Sequence, residues 1–297
     1  MPDFKTEDQD VRAKLIAWQT AWASHTTANG NSIDYFRVDT IKHVEHETFN
    51  QLKTALAEVN PNFKMIGEYW GAAYNATANY LGNGQMDSML DFDFKDVAAK
   101  FVNGNIETAE KTLEARNAVL NSTLTMGQFL SSHDEDGFLY SVGYDYGKAK
   151  LAASLQITAK GQPVIYYGEE VALSGPNAFG VYENNRYDME FGDDLSAKQK
   201  DMLAHYRKVL AARSLYSDVI SKGTRTNVLG GDGYGYEVVL REYNGEKLVG
   251  LFNFSEFDKM AWINEQDGDY VDLLTGKETK LIGAKVPGNG FFWMKRK

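Results

Sequence analysis

Cysteine is absent from this chain of 297 residues, and its absence excludes disulfides, thiolate metal sites and a cysteine nucleophile. No apolar run approaches the roughly 18 residues that a membrane-spanning helix requires. An excess of positive charge is also lacking, because the formal net charge is −10 at pH 7. Residues 1–5 show no basic stretch followed by an apolar one, so no signal peptide is expected there. The sequence therefore predicts neither a nucleic-acid partner nor a membrane partner.

The composition that remains is that of an ordinary globular protein, with 43% hydrophobic and 24% charged residues. From Asp3 to about Arg213, helical patterns alternate with short apolar runs that are typical of strands. This alternation predicts parallel βαβ units, and hence either a doubly wound sheet or a barrel. The predicted strands are 33–39, 64–68, 88–93, 125–131 and 163–167, and the predicted helices are 7–22, 46–59, 106–121, 148–159 and 195–212.

The pattern changes in the last third of the chain. From Thr224 onward, strand-like runs are separated by glycine-rich turns at 230–233, 244–245 and 287–290. The strands predicted here are 236–240, 247–252, 270–274 and 290–294. We therefore place a domain boundary near Ser214, with an α/β domain in residues 1–213 and an antiparallel β-sandwich in residues 214–297.

Two carboxylates at the ends of predicted strands have contrasting surroundings in the sequence. Arg37 and Asp39 share one face of their strand, because side chains alternate along a strand, and the guanidinium favours an ionised carboxylate. Glu68 is followed by Tyr69 and Trp70 and has no basic neighbour in sequence, so its pKa is expected to be raised. Glycoside hydrolysis requires one ionised and one protonated carboxyl group. A surface Arg–Asp pair with an unrelated Glu is the alternative for these residues taken singly.

A third acidic segment follows the predicted strand 125–131. His133 and Asp134 lie there beside Glu135 and Asp136. An imidazole and a carboxylate can hydrogen-bond sugar hydroxyls and stabilise a positively charged transition state. A metal site is the weaker interpretation, because one histidine and clustered acids have no defined ligand spacing. A loop of solvated acids is the further alternative for this segment alone.

Asp39, Glu68 and Asp134 thus stand at the carboxyl ends of predicted strands, where barrel enzymes place their functional groups. Segments 34–44, 65–71 and 129–137 resemble the nucleophile strand, the acid/base strand and a third conserved strand of the α-amylase family of retaining glycoside hydrolases. Residues 160–170 resemble the family's last barrel strand. The resemblance implies that Asp39 is the nucleophile, that Glu68 is the general acid/base, and that Asp134 completes the catalytic set.

The resemblance also implies substrate-binding roles. Arg37 would be the partner of the nucleophile, and His133 would bind the sugar at the cleavage site together with Asp134. Lys42 and His43 resemble the pair that contacts sugar on the leaving-group side in α-amylases. Trp70 is a candidate platform for sugar stacking on its own chemistry, although aromatic rings in such positions are as often packing residues.

The fold that the resemblance implies is a (β/α)8 barrel followed by an antiparallel β-sandwich. Only 38 residues precede Asp39, and they contain no Asp-x-x-x-Asn-His run of the kind that the family carries on an early strand. Pro2-Asp3-Phe4 resembles the family's return to the helix before the nucleophile strand. We therefore expect a partial barrel, about strands 4–8, whose partner is the missing N-terminal half-barrel and which is poorly active or inactive alone.

The predicted activity is endo-acting, retaining hydrolysis of α-1,4-glucosidic bonds in glucans of the starch or glycogen type. An α-glucosidase, a glucan transferase and a non-catalytic glucan-binding fragment are the alternatives. The residues present require no cofactor and predict no metal ligands, and the family's structural calcium is expected only in the intact protein. Because polymer hydrolases are usually exported, an extracellular location is expected.

Overall fold

The computed structural model describes residues 4–178, 180, 182–263, 267–281 and 283–297. Pro2 and Asp3, which form part of the resemblance at the start of the chain, lie outside the described residues. The chain divides into two compact units, one of Met1–Phe92 with Leu120–Gly127, and one of Asp93–Val119 with Gln128–Lys297. Across the described residues, no helix is both long and apolar enough to cross a membrane.

The first unit contains a parallel sheet whose four strands run in the order β1-β2-β3-β4. Register pairs Arg37 with Ile66 and Val38 with Gly67 between the first two strands. The strands are Tyr35–Val38 (β1), Lys64–Gly67 (β2), Ser88–Asp91 (β3) and Thr125–Gln128 (β4), and the helices are Gln9–Ser24 (α1) and His46–Val59 (α2). The carboxyl ends of β1 and β2 therefore lie side by side, which brings the residues that follow them together.

The two helices of this unit bury different amounts of apolar surface. Helix α2 places Phe49, Leu52 and Leu56 in the core, as its helical repeat predicts. Helix α1 begins after Asp8, whose side chain accepts hydrogen bonds from the Asp10 and Val11 amides. Its predicted apolar stripe is not buried within this unit: Trp18 and Trp22 are 49% and 62% exposed.

The second unit begins with helices that enclose one large core. They are Phe94–Val102 (α3), Ile106–Val119 (α4), Phe138–Ser141 (α5), Tyr146–Thr158 (α6), Ala197–Leu215 (α7) and Ser217–Lys222 (α8), with the short strand Gln162–Pro163 (β5) after α6. Helix α7 starts with a capping box in which Ser196 and Gln199 bond each other's backbone amides. Its predicted apolar face is confirmed, since Met202, Tyr206 and Val209 are buried.

The rest of the second unit is antiparallel. Its strands are Thr224–Gly231 (β6), Tyr236–Tyr243 (β7), Glu246–Asn253 (β8), Lys259–Trp262 (β9), Gly268–Asp272 (β10), Glu278–Leu281 (β11), Gly283–Val286 (β12) and Phe291–Arg296 (β13). Six strands form a sheet in the order β11-β10-β13-β8-β7-β6, and β12 pairs with β9. Val238 and its partner in register, Leu251, pack with the β9–β12 ribbon. Val239 packs with the helices, so the sheet is covered on both faces.

Several element predictions differ from the structure. The run 163–167 is predicted to be a strand, but β5 ends at Pro163. Beyond Pro163, side chains rather than a neighbouring strand donate hydrogen bonds to carbonyls of the run. Gln156 Nε2 donates to the Val164 carbonyl at 2.9 Å, and the Tyr187 hydroxyl donates to the Tyr167 carbonyl at 3.2 Å. Helices α3, α5 and α8 and strands β6, β9, β11 and β12 have no counterpart among the predicted element ranges. The predicted boundary near Ser214 stays a prediction.

Candidate active site

The end of β1 carries the first cluster of predicted site residues. Arg37 lies on β1 and forms an ion pair through Nη1 with Oδ1 of Asp39, which directly follows the strand. The other terminal nitrogen of the same guanidinium, Nη2, lies 2.6 Å from Oε1 of Glu68. One arginine therefore bridges the two carboxyl groups that the sequence singled out, and the pairing of β1 with β2 is what brings them together.

The two carboxyl groups of this cluster differ in exposure. The Asp39 side chain is 65% exposed, whereas the Glu68 side chain is only 9% exposed. Burial raises the pKa of Glu68, the nearby Asp39 carboxylate raises it further, and the Thr40 amide and Arg37 oppose the shift. When one carboxyl group is buried and its neighbour is exposed, the environments favour a proton on the buried group and ionisation of the exposed group.

The expected rise in the pKa of Glu68 agrees in direction with the effect of its burial, but the sequence did not reveal its basic partner. No basic residue is adjacent to Glu68 in sequence, but Arg37 contacts it across the sheet. The Thr40 amide adds a hydrogen bond to Glu68 Oε2 at 3.1 Å. Thr40 reaches this position with a left-handed backbone, at φ 47°, which is uncommon for a β-branched residue and marks a fixed turn after Asp39.

Gly67 places Glu68 through close packing. A Cβ atom at this position would lie 2.6 Å from Cδ1 of Ile41 and 3.1 Å from Cγ of Met86. Ile41 is fully buried and begins the short 3-10 helix that follows Asp39 and Thr40. The glycine thus allows β2 to end against the turn that follows β1.

The predicted leaving-group residues lie in the same unit. Lys42 Nζ lies 3.5 Å from the Trp70 carbonyl and 5.2 Å from the centre of the Tyr69 ring. Trp70 is 50% exposed, and its ring centre is 5.0 Å from that of Phe92. His43 is exposed in the 3-10 helix with Lys42, and within the described residues its ring has no hydrogen bond to the two carboxyl groups.

The second cluster lies in the loop after β4. His133 Nε2 is 2.9 Å from Asp134 Oδ2, and Arg186 Nη2 is 3.1 Å from Asp134 Oδ1. Arg186 also donates through Nε to the His133 carbonyl at 3.1 Å. The Asp134 carboxylate is thus held by a ring nitrogen and a guanidinium, and 38% of its side-chain surface is exposed.

Sequence reasoning assigned no role to the residues that fix this loop. Asn185 is fully buried, and its Nδ2 donates to the carbonyls of Ser132 at 2.8 Å and Glu135 at 2.6 Å. In the sequence, Asn185 and Arg186 resemble only part of the loop that follows the last barrel strand of the family. That resemblance is the one signal by which the sequence points to them. Their contacts with the His133–Asp134 loop join residues about 50 positions apart, so no local pattern reveals these contacts.

The other two acidic residues of the loop, Glu135 and Asp136, have separate surroundings. Burial raises the pKa of Glu135, and the nearby Lys95 opposes that shift. Asp136 instead accepts a hydrogen bond from the Asn177 amide at 2.6 Å. In the part of the chain that the structure describes, no group of three or more His, Cys, Asp or Glu side chains could hold a metal ion.

Comparison with known proteins gives a consistent result. Residues 1–213 match the family model described as the α-amylase catalytic domain. The chain is 32% identical over 272 residues to the periplasmic alpha-amylase of Escherichia coli K12, covering 84% of this chain and 37% of that protein. It is 29% identical over 222 residues to a cyclomaltodextrinase of a Bacillus species, covering 73% of this chain and 37% of that protein. The chain thus spans between a third and a half of the curated relatives that it matches across most of its length.

Solved structures show the same fold at lower identity. The alpha-amylase from Geobacillus thermoleovorans complexed with acarbose superposes with a TM-score of 0.83 at 21% identity, covering all of this chain and 66% of that one. A cyclomaltodextrinase structure gives a TM-score of 0.80 at 23% identity, covering 98% of this chain and 49% of that one. The fold is a partial (β/α) barrel followed by a β-sandwich, and the chain belongs to the α-amylase family.

Proposed function

We propose that this chain carries the acid/base and the nucleophile of a retaining glycoside hydrolase that cleaves α-1,4-glucosidic bonds. The observation that supports this proposal is the bridge that Arg37 makes between the exposed Asp39 and the buried Glu68. The two environments favour opposite protonation states of two neighbouring carboxyl groups, which is what a retaining mechanism needs.

In the first step of this mechanism, Glu68 donates its proton to the glycosidic oxygen while Asp39 attacks the anomeric carbon. The bond to the leaving sugar breaks as the glycosyl–Asp39 ester forms. In the second step, Glu68, now ionised, accepts a proton from water, whose oxygen displaces Asp39 from the anomeric carbon. Two inversions leave the anomeric configuration unchanged. Arg37 forms an ion pair with Asp39, the attacking group, and limits the rise in the pKa of Glu68.

Substrate contacts are proposed for the remaining predicted residues. Asp134 and His133 would hydrogen-bond sugar hydroxyls, with Arg186 holding the Asp134 carboxylate in place. Lys42 and His43 would contact the leaving-group sugar, and the exposed Trp70 ring would stack on a sugar face. A structural calcium ion is proposed for the whole protein only.

The substrate is proposed to be an α-glucan. Similar proteins are named alpha-amylase, maltogenic alpha-amylase and cyclomaltodextrinase, so both linear and cyclic maltodextrins are candidates. Comparing the hydrolysis rate of soluble starch with that of a cyclomaltodextrin decides between them. If the cyclic substrate reacts faster, the proposed activity becomes that of a hydrolase that prefers cyclomaltodextrins, in place of an endo-acting starch hydrolase. If chromatography shows that glucose units are transferred to an added acceptor sugar, the activity is that of a transferase.

Because the chain is expected to be poorly active or inactive alone, the test of the proposed function is made with the N-terminal half-barrel of the whole protein added. It compares the unaltered chain with Glu68→Gln, Asp39→Asn and a control, Glu58→Gln, which changes an exposed glutamate of α2. The measurement is release of reducing ends from soluble starch, with the anomer of the product read by proton NMR at early times. We expect an α-anomeric product, a loss of at least about a hundredfold in the first two variants, and no loss in the control. A β-anomeric product, or full activity in Glu68→Gln, would contradict the proposal.

Binding without catalysis is separated by a second measurement on the same proteins. If the chain sediments with insoluble starch and releases no reducing ends even with the N-terminal half-barrel added, the non-catalytic glucan-binding alternative is favoured. We further infer a location outside the cytoplasm, which the name of the periplasmic relative supports. Cell fractionation of the source organism tests that location, and recovery in the cytoplasmic fraction alone would contradict it.

A further inference from the structure

The outer surface of the β9–β12 ribbon, which belongs wholly to the second unit, exposes an aromatic ring. Side chains alternate along β9, so Met260 and Trp262 face outward with 48% and 51% of their surface exposed, while Ala261 between them is fully buried. An exposed tryptophan carries a large apolar area that gains from being covered by a ligand. The chemistry proposed for Asp39 and Glu68 does not use this ring.

The ring of Trp262 lies against a glycine on the neighbouring strand. Gly283 is the residue of β12 that is paired in register with Trp262. A Cβ atom at Gly283 would lie 3.0 Å from Cε3 and 3.3 Å from Cζ3 of the ring, so the missing side chain lets the ring approach the strand closely. One side of the ring is thus supported by the ribbon. A ring held in place before a ligand arrives loses less freedom on binding.

A groove with polar and apolar lining begins at the same glycine. Its volume is about 230 Å³, and residues of β10, β11, β12 and β13 line it. The lining side chains that bear on its chemistry are the polar Asp272, Lys277 and Thr279 and the apolar Phe292 and Met294. An apolar wall with a few polar groups is typical of sites for small molecules.

The charges around the groove favour a neutral ligand that is rich in hydroxyl groups. Asp272 has oxygens that accept hydrogen bonds, Lys277 has an ammonium group that donates, and the Thr279 hydroxyl can do either. Lys285 also lines the groove, but its ammonium group is paired with Asp258 at 2.9 Å. Opposite charges are therefore balanced, and the groove selects neither an anion nor a cation. A sugar has hydroxyls that donate and accept, and its C–H groups pack on aromatic rings.

The carboxylate of Asp272 is fixed by its own neighbours. Oδ1 accepts a hydrogen bond of 3.0 Å from the Leu274 amide, and Oδ2 accepts one of 2.5 Å from the Thr275 hydroxyl. Each carboxylate oxygen has two lone pairs, so both oxygens can accept a further hydrogen bond. Asp272 is therefore oriented in the wall of the groove without being saturated.

We propose that Trp262 and this groove form a second glucan-binding site that contains none of the candidate active-site residues. The ring stacks on one sugar unit, and Asp272, Lys277 and Thr279 hydrogen-bond hydroxyls of the same glucan chain. The class of sugar, an α-1,4-glucan, rests on the proposed function, whereas the existence of a sugar site rests on the ring and the groove. A site of this kind holds a long glucan near the protein and so raises its effective concentration.

The first test is 19F NMR of the whole chain labelled with 5-fluorotryptophan, and it needs no enzymatic activity. The chain has five tryptophans, and single Phe variants of Trp18, Trp22, Trp70 and Trp262 assign all five signals, the last by elimination. On titration with maltotriose, we expect the Trp262 signal to shift and to saturate. The buried Trp293 should keep its signal and serves as internal control. No shift at Trp262, or an equal shift with the β-1,4-linked cellotriose, would overturn the inference.

Three variants connect the shift to the site. Gly283→Val places a side chain where the ring lies, so the Kd for maltotriose should rise at least about fivefold. Thr279→Val keeps the shape and removes the hydroxyl, which should raise the Kd by about 2–10-fold. Thr224→Val changes an exposed threonine of β6, at the opposite edge of the sheet from β11, and should leave the Kd unchanged.

The Trp293 signal shows whether each variant is folded. An unchanged Kd in either folded site variant, or an equal rise in the control, would overturn the inference. If Gly283→Val does not fold, Thr279→Val decides.

An exposed ring can also bind a second copy of the chain, and dilution distinguishes that case. If the Trp262 signal shifts with protein concentration and not with maltotriose, the surface is an interface between copies and the glucan site is refuted. Failure of the proposed function is recognised separately, from starch hydrolysis with the N-terminal half-barrel added. If starch is not hydrolysed but the Trp262 signal responds to maltotriose, the second site stands. If starch is hydrolysed and the signal does not respond, only the second site fails.

Discussion

At the scale of single residues, the candidate site depends on the different burial of two carboxyl groups that share one guanidinium. Arg37 contacts Asp39 and Glu68 with its two terminal nitrogens, so a change at Arg37 alters both groups at once. Since Glu68 is the buried partner, its pKa responds to the removal of a positive charge more strongly than that of an exposed group would. The residue that tunes this site is therefore neither the proposed acid nor the proposed nucleophile.

Replacing Arg37 by Met should raise the pKa of Glu68, because the guanidinium lowers it. Glu68 would then keep its proton to higher pH, and the alkaline limb of the profile of kcat/KM against pH should move to higher pH. The maximum rate should fall by about 10²–10⁴-fold, since the nucleophile loses its orienting partner. The measurement is the profile with soluble starch in the presence of the N-terminal half-barrel, with Arg37→Lys as the variant that keeps the charge. An alkaline limb that moves to lower pH would contradict the assignment of Glu68 as acid.

Gly67→Ala should disturb the position of Glu68 through packing alone. The added Cβ would meet Ile41 Cδ1 at 2.6 Å, so we expect a loss of about 1–3 kcal/mol in the free energy of unfolding. Gly82→Ala is the control, because its Cβ would meet only the Asn79 carbonyl, at 3.8 Å. Urea unfolding of both variants checks this prediction. If the two variants have equal free energies of unfolding, the turn after β1 shifts to accommodate the added Cβ without loss of stability, and the prediction is wrong.

At the scale of elements, loops and helix ends are fixed by side chains from distant parts of the chain. The carboxyl end of α6 is an example: Arg241 on β7 donates to the Thr158 carbonyl at 3.2 Å, and Arg213 on α7 donates to the Ala159 carbonyl at 3.0 Å. Cationic groups are favourable at this end of a helix, where carbonyls lack partners. Asn185 serves the loop after β4 in the same way.

Asn185→Ala should loosen the loop that carries His133 and Asp134. The carbonyls of Ser132 and Glu135 each lose a donor, so we expect a loss of about 2–3 kcal/mol in the free energy of unfolding. Amide hydrogen exchange across residues 131–138 should become faster. Asn184→Ala, at the exposed neighbouring position, is expected to leave both measurements unchanged. Unchanged exchange in Asn185→Ala would mean that other contacts suffice to order the loop.

At the scale of the whole molecule, buried ionisable groups determine how stability depends on pH. Glu237 on β7 is fully buried, and both of its carboxyl oxygens lack hydrogen-bond partners among the described residues. Burial raises its pKa to about 9, with Glu110 adding to the shift and Arg225 opposing it. Arg225 is itself engaged with Glu110 in a buried bidentate pair at 2.7 Å. The folded chain therefore binds a proton at Glu237 that the unfolded chain releases at lower pH.

The sign of the effect follows from this difference in proton binding. Between the ordinary pKa of 4.5 and the folded value of about 9, the folded state binds more protons, so stability falls as pH rises. Glu237→Gln carries no titrating proton and should gain on the order of 2–4 kcal/mol relative to the unaltered chain between pH 6 and pH 9. Urea unfolding at both pH values measures the gain. Glu242→Gln, on the same strand but partly exposed, is the control, and a gain of equal size there would refute the role of Glu237.

The sequence by itself determined the features that depend on local pattern. The helical repeat predicted α2 at residues 46–59, the limits that the structure shows, and the alternation of strands and helices predicted the parallel sheet. The three acidic segments at strand ends, with their likeness to a known family, identified the family that the comparison confirmed. The individual roles of Asp39, Glu68 and Asp134 stay predictions.

Only the tertiary structure decided which distant groups meet. Arg37 contacts Glu68 across two strands, Arg186 holds Asp134 from 52 positions away, and Tyr206 reaches Glu169 from 37 positions away. No periodicity encodes such contacts, because they arise from strand pairing and helix packing rather than from neighbouring residues. The same reason explains why β5 ends early, since the side chains of Gln156 and Tyr187 donate to the carbonyls of Val164 and Tyr167. Local pattern thus determined the elements and the reactive groups, whereas packing decided their contacts and their burial.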